Sequence, residues 1–454
     1  MININKKKYL SLIAIFLFAS FATYLLIPNE KSLEKTSKLT ATVLKSGNDS
    51  LTVKDEANII YTFSVEKDVF APGDDVIIEY TGLLNKAKEQ QGNKLVNITP
   101  VSQDEEIAPY SVDNLFSNFN LLASNKLKEM TLDEKIGQLL LVRYDADKVK
   151  EVINKYKVGG FVFFEHDFQG KTPDEVKKMI SSAQVTSKIP LLTAVDEEGG
   201  TVVRISSNKL LADEPFKSPQ ELYKEGGFDL IKTDTQKKSL LLEELGLNVN
   251  LAPVVDVSTS SDDYIYHRTI GEDTETTSEY AKTVIEANKK TGVSYVLKHF
   301  PGYANNSDSH DGKVIDKRDF TAIEEQDLPP FAAGIESGAE AVLVSHITVN
   351  SIDENNPASL SASVHNLLRN NLGFTGVIIT DDLAMGATSS IKDVYKKALL
   401  AGNDILMTTD YEKAFNEIKT AVEEGELSEE FIDSIVHKII SWKFHKGLMY
   451  EKTK

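Results

Sequence analysis

Eight short apolar runs, each ending in polar or charged residues, are spaced between residues 138 and 409 and constrain the fold more than any other feature of the chain. They read QLLLVRY from Gln138, GGFVFFEHD from Gly159, PLLTAVDEE from Pro190, LNVNLAPVVDV from Leu247, SYVLKHF from Ser294, AVLVSHI from Ala341, GVIITDD from Gly376 and DILMTT from Asp404. Unbroken Val, Ile, Leu and Phe without polar alternation is the pattern of parallel strands buried on both faces. Between most of these runs lie polar stretches of helical period, such as DADKVKEVINKYK after Tyr144, TPDEVKKMISSAQ after Lys171 and SEYAKTVIEANKK after Thr277. Strand and helix units repeated in this way predict an α/β fold of the (β/α)8, TIM-barrel type. Such barrels place their chemistry where the strands end, so Asp196, Asp256, Lys298, His299, His346 and Asp381 are expected to converge on one cleft.

Composition narrows what that cleft can act on. With 69 acidic against 50 basic residues the net charge is −19, which argues against a nucleic-acid partner and against adhesion of the folded body to anionic lipid. The chain has no cysteine, which excludes disulfides, thiolate catalysis, Cys-ligated metals and lipoprotein acylation. At the N-terminus Lys6, Lys7 and Lys8 precede an uncharged apolar stretch of 19 residues from Tyr9 to Ile27, ending at Pro28. That length lies at the border between a signal peptide and a membrane-spanning helix. The flanking lysines place the N-terminus inside and everything after Pro28 outside. Ser20 and Ala22 offer a cleavage site, but the apolar run continues through Leu26, which favours retention as an anchor. Residues 1–28 are thus expected to be a signal peptide or anchor, and the protein to be extracytoplasmic, anchored through this N-terminal helix or secreted.

Residues 29–37 are polar and read as a linker, and 38–104 change to short β-type runs (TATVLKS, SLTVKD, NIIYTFSV, DDVIIEYTG, LVNITPV) with turn signals at Gly47-Asn48-Asp49 and Pro72-Gly73-Asp74. This pattern predicts a small antiparallel barrel or sandwich of about five strands, read as a spacer ahead of a catalytic domain over 108–450. Glycan or wall binding by this segment stays open.

Two strand ends carry the chemistry. After Val377-Ile378-Ile379-Thr380 come Asp381 and Asp382, and a carboxylate at a barrel-strand tip is placed for nucleophilic attack or charge stabilisation. Taken alone it could equally cap the following helix. The fifth run delivers Lys298 and His299, then Pro301-Gly302 turns into a polar loop, Tyr303 to Gly312. Within it Asp308 and His310 are two residues apart, so the carboxylate can hold one ring nitrogen and leave the other to exchange protons near neutral pH. No His-x-x-x-His or comparable spacing supports a metal site for His166, His267 and His310, and no nucleotide fingerprint accompanies Gly199-Gly200. Neither a metal nor a cofactor is expected. Gly199-Gly200 is read as a tight turn that lets backbone approach the ligand, Trp442 as core, and His346 and Asp256 either as groups behind or against the ligand or, equally, as structural packing.

Five ordered motifs together say more than each alone. They are Thr193 to Gly200 with Arg204, Leu251 to Val257, His267 to Gly271, Lys298 to Gly302 continuing to His310, and Thr380 to Gly386. Over roughly residues 110–447 the chain resembles glycoside hydrolase family 3, in its β-N-acetylglucosaminidase branch. The resemblance implies that Asp381 is a nucleophile and that Asp308 with His310 is an acid/base dyad. It also implies that Asp196, Arg268, Lys298 and His299 hold the sugar hydroxyls and the N-acetyl group of a glycan containing N-acetylglucosamine. Large β-glucosidases of the family take their proton donor from a domain after the barrel; here about forty-five residues follow the eighth run, so the donor is expected within the barrel, at His310. Two departures stand out: Glu197 replaces the usual Gln of Asp-Gln-Glu-Gly-Gly, and Tyr303-Ala304 replaces His-Gly after Pro-Gly. Both are expected near the cleft, where they bear on linkage or aglycone preference. The resemblance implies retaining release of terminal N-acetyl-β-D-glucosamine from external glycans such as peptidoglycan fragments. A family 3 phosphorylase, or a catalytically silent glycan-binding surface protein, are the rival readings.

Overall fold

The computed structural model describes residues 36–46, 50–55, 60–64, 75–81, 94–100, 114–303 and 313–449. The apolar stretch 9–27 lies outside them, and among the described residues no helix is long and apolar enough to cross a membrane. The chain divides into two compact units, residues 1–106 and 107–454.

In the first unit, strands β1 (Thr36–Ser46), β2 (Ser50–Asp55), β3 (Ile60–Ser64), β4 (Asp75–Thr81) and β5 (Lys94–Pro100) form one antiparallel sheet in the order β3-β2-β1-β4-β5. Alternation sets which face is covered: Ala41, Val43, Leu51, Val53, Tyr61, Phe63, Val76 and Ile78 are buried together. Register brings them opposite one another, Val43 facing Val53 and Leu51 facing Phe63. The turn signals at 47–49 and 72–74 lie outside the described residues.

In the second unit eight parallel strands make up the barrel: β6 (Leu140–Arg143), β7 (Gly160–Phe163), β8 (Leu192–Val195), β9 (Val249–Asn250), β10 (Ser294–Phe300), β12 (Ala341–Val344), β14 (Val377–Thr380) and β15 (Leu406–Thr408). A separate parallel pair joins β11 (Ile315–Asp316) to β13 (Thr348–Val349). The barrel order is β14-β12-β10-β9-β8-β7-β6-β15, and Thr380 N donates to Ile405 O at 3.0 Å across the remaining gap. All residues of β7, β8, β10, β12 and β14 are buried, in keeping with unbroken apolar runs covered on both faces. One strand is shorter than its sequence implies. The run 247–257 contributes only Val249–Asn250 and a single further bridge from Val254 to Lys298. Pro253 interrupts it, because a proline ring has no N–H to offer a ladder.

The helices start where side chains can satisfy their first amides. Thr131 Oγ1 accepts from Glu134 N while Glu134 Oε2 accepts from Thr131 N at 2.9 Å, and Thr172/Glu175 and Ser218/Glu221 repeat the arrangement with proline at the first helical position. At the floor of the barrel, where the strands begin, the C-terminal helix Glu429–His445 inserts Trp442 and Lys443. Lys443 Nζ donates to Gln138 Oε1 at 2.6 Å, Pro190 O at 2.7 Å and Gly159 O at 2.9 Å, tying together the entries to β6, β7 and β8. Complete burial pushes this ammonium's pKa down to about 7.

Candidate active site

The strands end on a cavity of about 630 Å³ whose walls include Asp196 after β8, Lys298 and His299 on β10, Arg268, and Asp381 after β14. The expected convergence therefore holds for those residues. Asp256 and His346 do not line the cavity; both are buried one layer behind it.

Lys298 is the hub. Its ammonium, 3% exposed, lies 2.7 Å from Asp196 Oδ1 and 2.7 Å from Glu198 Oε1. Burial alone would lower its pKa, but the two carboxylates outweigh that and raise it, so the lysine stays charged. Glu198 also accepts Arg268 Nε at 3.0 Å and Arg268 Nη2 at 2.8 Å, a bidentate fork. Its burial opposes ionisation, yet Lys298 and then Arg268 hold its carboxyl well below the usual range, while Arg268 is in turn held charged against burial chiefly by Glu198. In the sequence Glu198 stands out only as one residue of the motif from Thr193 to Gly200. A signal for it existed: two cations expected in one buried cleft need more than the single carboxylate of Asp196.

Arg268 Nη2 also donates to His299 Nε2 at 3.2 Å. The ring proton of His299 must then sit on Nδ1, which meets Asp256 Oδ2 at 2.8 Å. Asp256 spreads its remaining capacity over backbone, accepting from His299 N at 3.2 Å and from Tyr303 N at 2.7 Å. It thus orients an imidazole and pins the first residue of the polar loop that leaves β10. Asp308 and His310 themselves lie outside the described residues.

The paired aspartates after β14 differ in their surroundings. Asp382 Oδ1 accepts from Ala384 N at 2.9 Å and from Thr409 N at 3.2 Å, which spends that oxygen on loop geometry. Burial, then backbone contacts that oppose it and repulsion from Asp381, leave its pKa raised. Asp381 continues the strand ladder through its own N–H to Val344 O at 3.0 Å and places its half-buried carboxylate on the cavity wall. His346 Nε2 donates to Asp382 O at 3.0 Å, leaving Nδ1 to accept from Ser359 Oγ at 2.7 Å, so this histidine props the aspartate turn from behind.

The structure corrects two expectations, at Glu197 and at Gly199-Gly200. Glu197 is fully buried and turned away from the cavity; its carboxylate accepts from Arg204 N and Ile205 N at 2.8 Å each and from Ser206, so it closes the 197–206 loop. A carboxylate has only acceptors, and three successive backbone donors satisfy it where a Gln amide would leave its own N–H₂ facing them. Tyr303 does lie beside the cleft, buried against the wall residue His299 with its ring edge-on at 5.3 Å. Gly199 and Gly200 bring backbone close to protein rather than to ligand: a Cβ on Gly199 would meet Lys217 O at 2.2 Å, and one on Gly200 would meet Ser218 Cβ at 2.6 Å. Their φ values of +103° and +64° are the glycine-favoured region that lets the loop fold onto residues 217–218.

A barrel whose strand-end cavity gathers Asp196, Glu198, Arg268, Lys298, His299 and Asp381 has the makings of a site for a neutral, hydroxyl-rich ligand: many fixed donors and acceptors, and one strand-tip carboxylate. The model of the glycosyl hydrolase family 3 N-terminal domain matches residues 131–442, and the chain belongs to that family. It is 30% identical over 328 residues to the β-hexosaminidase LpqI of Mycobacterium tuberculosis, covering 68% of this chain and 82% of that one. Among solved structures, M. tuberculosis LpqI superposes with a TM-score of 0.64 at 28% identity, covering 70% of this chain and 95% of LpqI. A family 3 β-N-acetylglucosaminidase from Paenibacillus sp. gives 0.66 at 28% identity, covering 72% of this chain and 64% of that longer one.

Proposed function

We propose that the chain is a retaining β-N-acetylhexosaminidase that releases terminal N-acetyl-β-D-glucosamine from an external glycan. The observation that carries this reading is the buried Lys298–Glu198–Arg268–His299 network facing Asp381 across one cavity, in a chain similar to β-hexosaminidases. Asp196, Lys298, Arg268 and His299 hold hydroxyls and the N-acetyl group of the sugar. The Asp381 carboxylate attacks the anomeric carbon as the bond to the leaving oxygen breaks, and imidazolium His310, held by Asp308, gives that oxygen its proton. Neutral His310 then takes a proton from water; the hydroxide displaces Asp381 from the anomeric carbon and frees the sugar with its configuration retained. Peptidoglycan fragments are the substrates an exported enzyme of this kind meets. On the same reading residues 9–27 anchor the protein, 29–37 link, 38–104 space, and 108–450 catalyse outside the membrane.

An aryl N-acetyl-β-glucosaminide tests the activity directly, with no turnover as the result that ends the proposal. His310→Ala refines it: natural disaccharides, whose leaving oxygen needs a proton, should lose far more rate than activated aryl glycosides. Equal losses on both would reduce His310 to a positioning role. Phosphate-dependent appearance of a sugar phosphate would replace hydrolysis by phosphorolysis.

A further inference from the structure

Behind the wall of the sugar cleft another cation approaches Glu198, and no step of the proposed reaction uses it. Lys238 belongs to the helix Pro219–Leu245 and is 6% exposed. Its ammonium lies 3.2 Å from Asp234 Oδ2, one turn earlier on the same helix, and 5.1 Å from the centre of the Phe216 ring. A further contact leaves the helix altogether: Nζ donates to the main-chain oxygen of Glu198 at 3.0 Å. A buried ion pair adds little net stability over apolar side chains of the same size, so pairing with Asp234 does not by itself account for a lysine here. What the ammonium adds is a hold on residue 198.

Glu198 sits where such a hold matters. It lines the sugar cleft on one side and, on the other, a small cavity of about 10 Å³ shared with Asp234, Lys238, Tyr280 and Tyr295. Side chains bordered by open space on two sides lose packing contacts on both, so packing fixes this one less firmly than its neighbours. The turn that carries it is closed by Glu198 N and Gly199 N, which share Val202 O at 3.0 and 3.1 Å. Gly200 N donates to Phe216 O at 2.8 Å, and the Phe216 ring is the one that the Lys238 ammonium faces. Lys238 therefore meets both the turn and the segment onto which the turn folds.

The same helix is fastened to the strand that supplies Lys298. Ser239 Oγ, next in the chain to Lys238, lies 3.1 Å from Tyr295 Oη, and Tyr295 belongs to β10 ahead of Lys298. Neighbouring side chains of one helix thus set the carbonyl of Glu198 and the strand of Lys298, the two residues whose side chains meet at 2.7 Å.

We infer that Lys238 is a positioning residue of the reaction: through the Glu198 main-chain oxygen it keeps the Glu198 carboxylate aimed at Lys298 and Arg268 on the wall of the sugar cleft. The inference rests on the N-acetylglucosaminidase reading of that cleft.

The test compares wild type with Asp234→Asn, Lys238→Arg, the pair Asp234→Asn/Lys238→Met, and that pair combined with Glu198→Gln, all on an aryl N-acetyl-β-glucosaminide. The pair strands no buried charge, so its melting temperature should stay close to that of wild type. Its kcat/KM should nevertheless fall roughly tenfold, the order expected for one lost hydrogen bond from a charged donor, mostly through KM, with the inhibition constant of free N-acetylglucosamine rising in parallel. Asp234→Asn alone leaves the bond from Lys238 to Glu198 in place and should leave kcat/KM near that of wild type. Lys238→Arg keeps a cationic donor and should recover part of the loss seen in the pair. In the Glu198→Gln background the pair should cost nothing further in kcat/KM, because Lys238 acts through the residue already changed. Full kcat/KM in the pair, measured below its melting temperature, would reduce Lys238 to a structural ion pair and overturn the inference. So would a loss in Asp234→Asn alone as large as in the pair, or a loss that adds in full to that of Glu198→Gln. A wild type inactive on the aryl glycoside would instead remove the reading beneath it.

Discussion

At the face where the barrel strands end, the buried Lys298 ammonium lies 2.7 Å from each of two carboxylates; at the floor, the equally buried Lys443 ammonium is held by the neutral oxygens of Gln138, Gly159 and Pro190. The first lysine has its pKa raised and the second has it pushed down to about 7. The same residue type in the same low-polarity barrel is thus used for two purposes. At the strand ends, counter-charges keep a full positive charge on the cavity wall, at the cost of desolvating several ions together. At the floor, three carbonyl oxygens need donors more than they need a charge, so the lysine serves as a hydrogen-bonding staple. The charged cavity wall and the neutral staple thus lie at opposite ends of the barrel axis, the ends to which this architecture usually assigns chemistry and stability.

That separation can be broken in order of effect. Asp381→Ala should abolish turnover, by roughly 10⁴-fold or more in kcat, with the melting temperature barely moved, because a strand-tip carboxylate on the cavity wall supports little of the core. Residual activity near that of wild type would move the nucleophile to Asp382. Glu198→Gln is the sharper test of the strand-end network. It leaves Lys298 and Arg268 buried with one carboxylate fewer, and should cost about 3–5 kcal/mol of stability together with a large loss of kcat/KM. Denaturant unfolding and aryl glycoside kinetics read both at once; loss of activity with stability intact would show that Glu198 acts on substrate and not through its cations.

Asp256→Asn probes the layer behind. The isosteric amide keeps one acceptor oxygen and turns its NH₂ on either Tyr303 N–H or the two donors of His299, so kcat/KM should fall by roughly one order of magnitude or more and stability by about 1–3 kcal/mol. A silent substitution would mean that Arg268 alone orients the ring.

Lys443→Met carries the smallest effect on catalysis and the clearest pH signature. The folded-state pKa is about 7 against an ordinary value of 10.5, so between those values the unfolded chain binds more protons than the folded one. Wild-type stability from this group therefore rises with pH above about 7, by at most about 1.4 kcal/mol per pH unit. The methionine variant lacks that rise, so the gap between the two proteins should widen from pH 7 to pH 9, while kcat/KM on an aryl glycoside stays unchanged. A gap that narrows over this interval would mean that Lys443 is held charged by groups other than the three oxygens.

The strand-end residues were legible because local pattern and topology coincide: an apolar run ends, a parallel barrel aligns all such ends, and Asp196, Lys298, His299 and Asp381 fall on one rim whatever the details of packing. The apolar runs likewise sufficed for the eight strands, except where Pro253 denied the ladder a donor. Glu197 and Glu198 show the limit. They are adjacent acidic residues of one motif, yet one is consumed by the backbone of residues 204–206 and the other gathers Lys298 and Arg268 from 70 to 100 residues away. Which neighbour each carboxylate meets depends on side-chain direction and on loops returning from afar, and neither periodicity nor spacing encodes that. The same holds for Asp256 and His346, whose types announced chemistry but whose burial made them supports. The sequence by itself determined the barrel and the rim of reactive groups, since burial period and strand order are local and additive. Tertiary structure decided which charges are paired, which are propped and which face the cavity, because electrostatic partnership in a dry interior is set by ångström-scale proximity between residues distant in the chain.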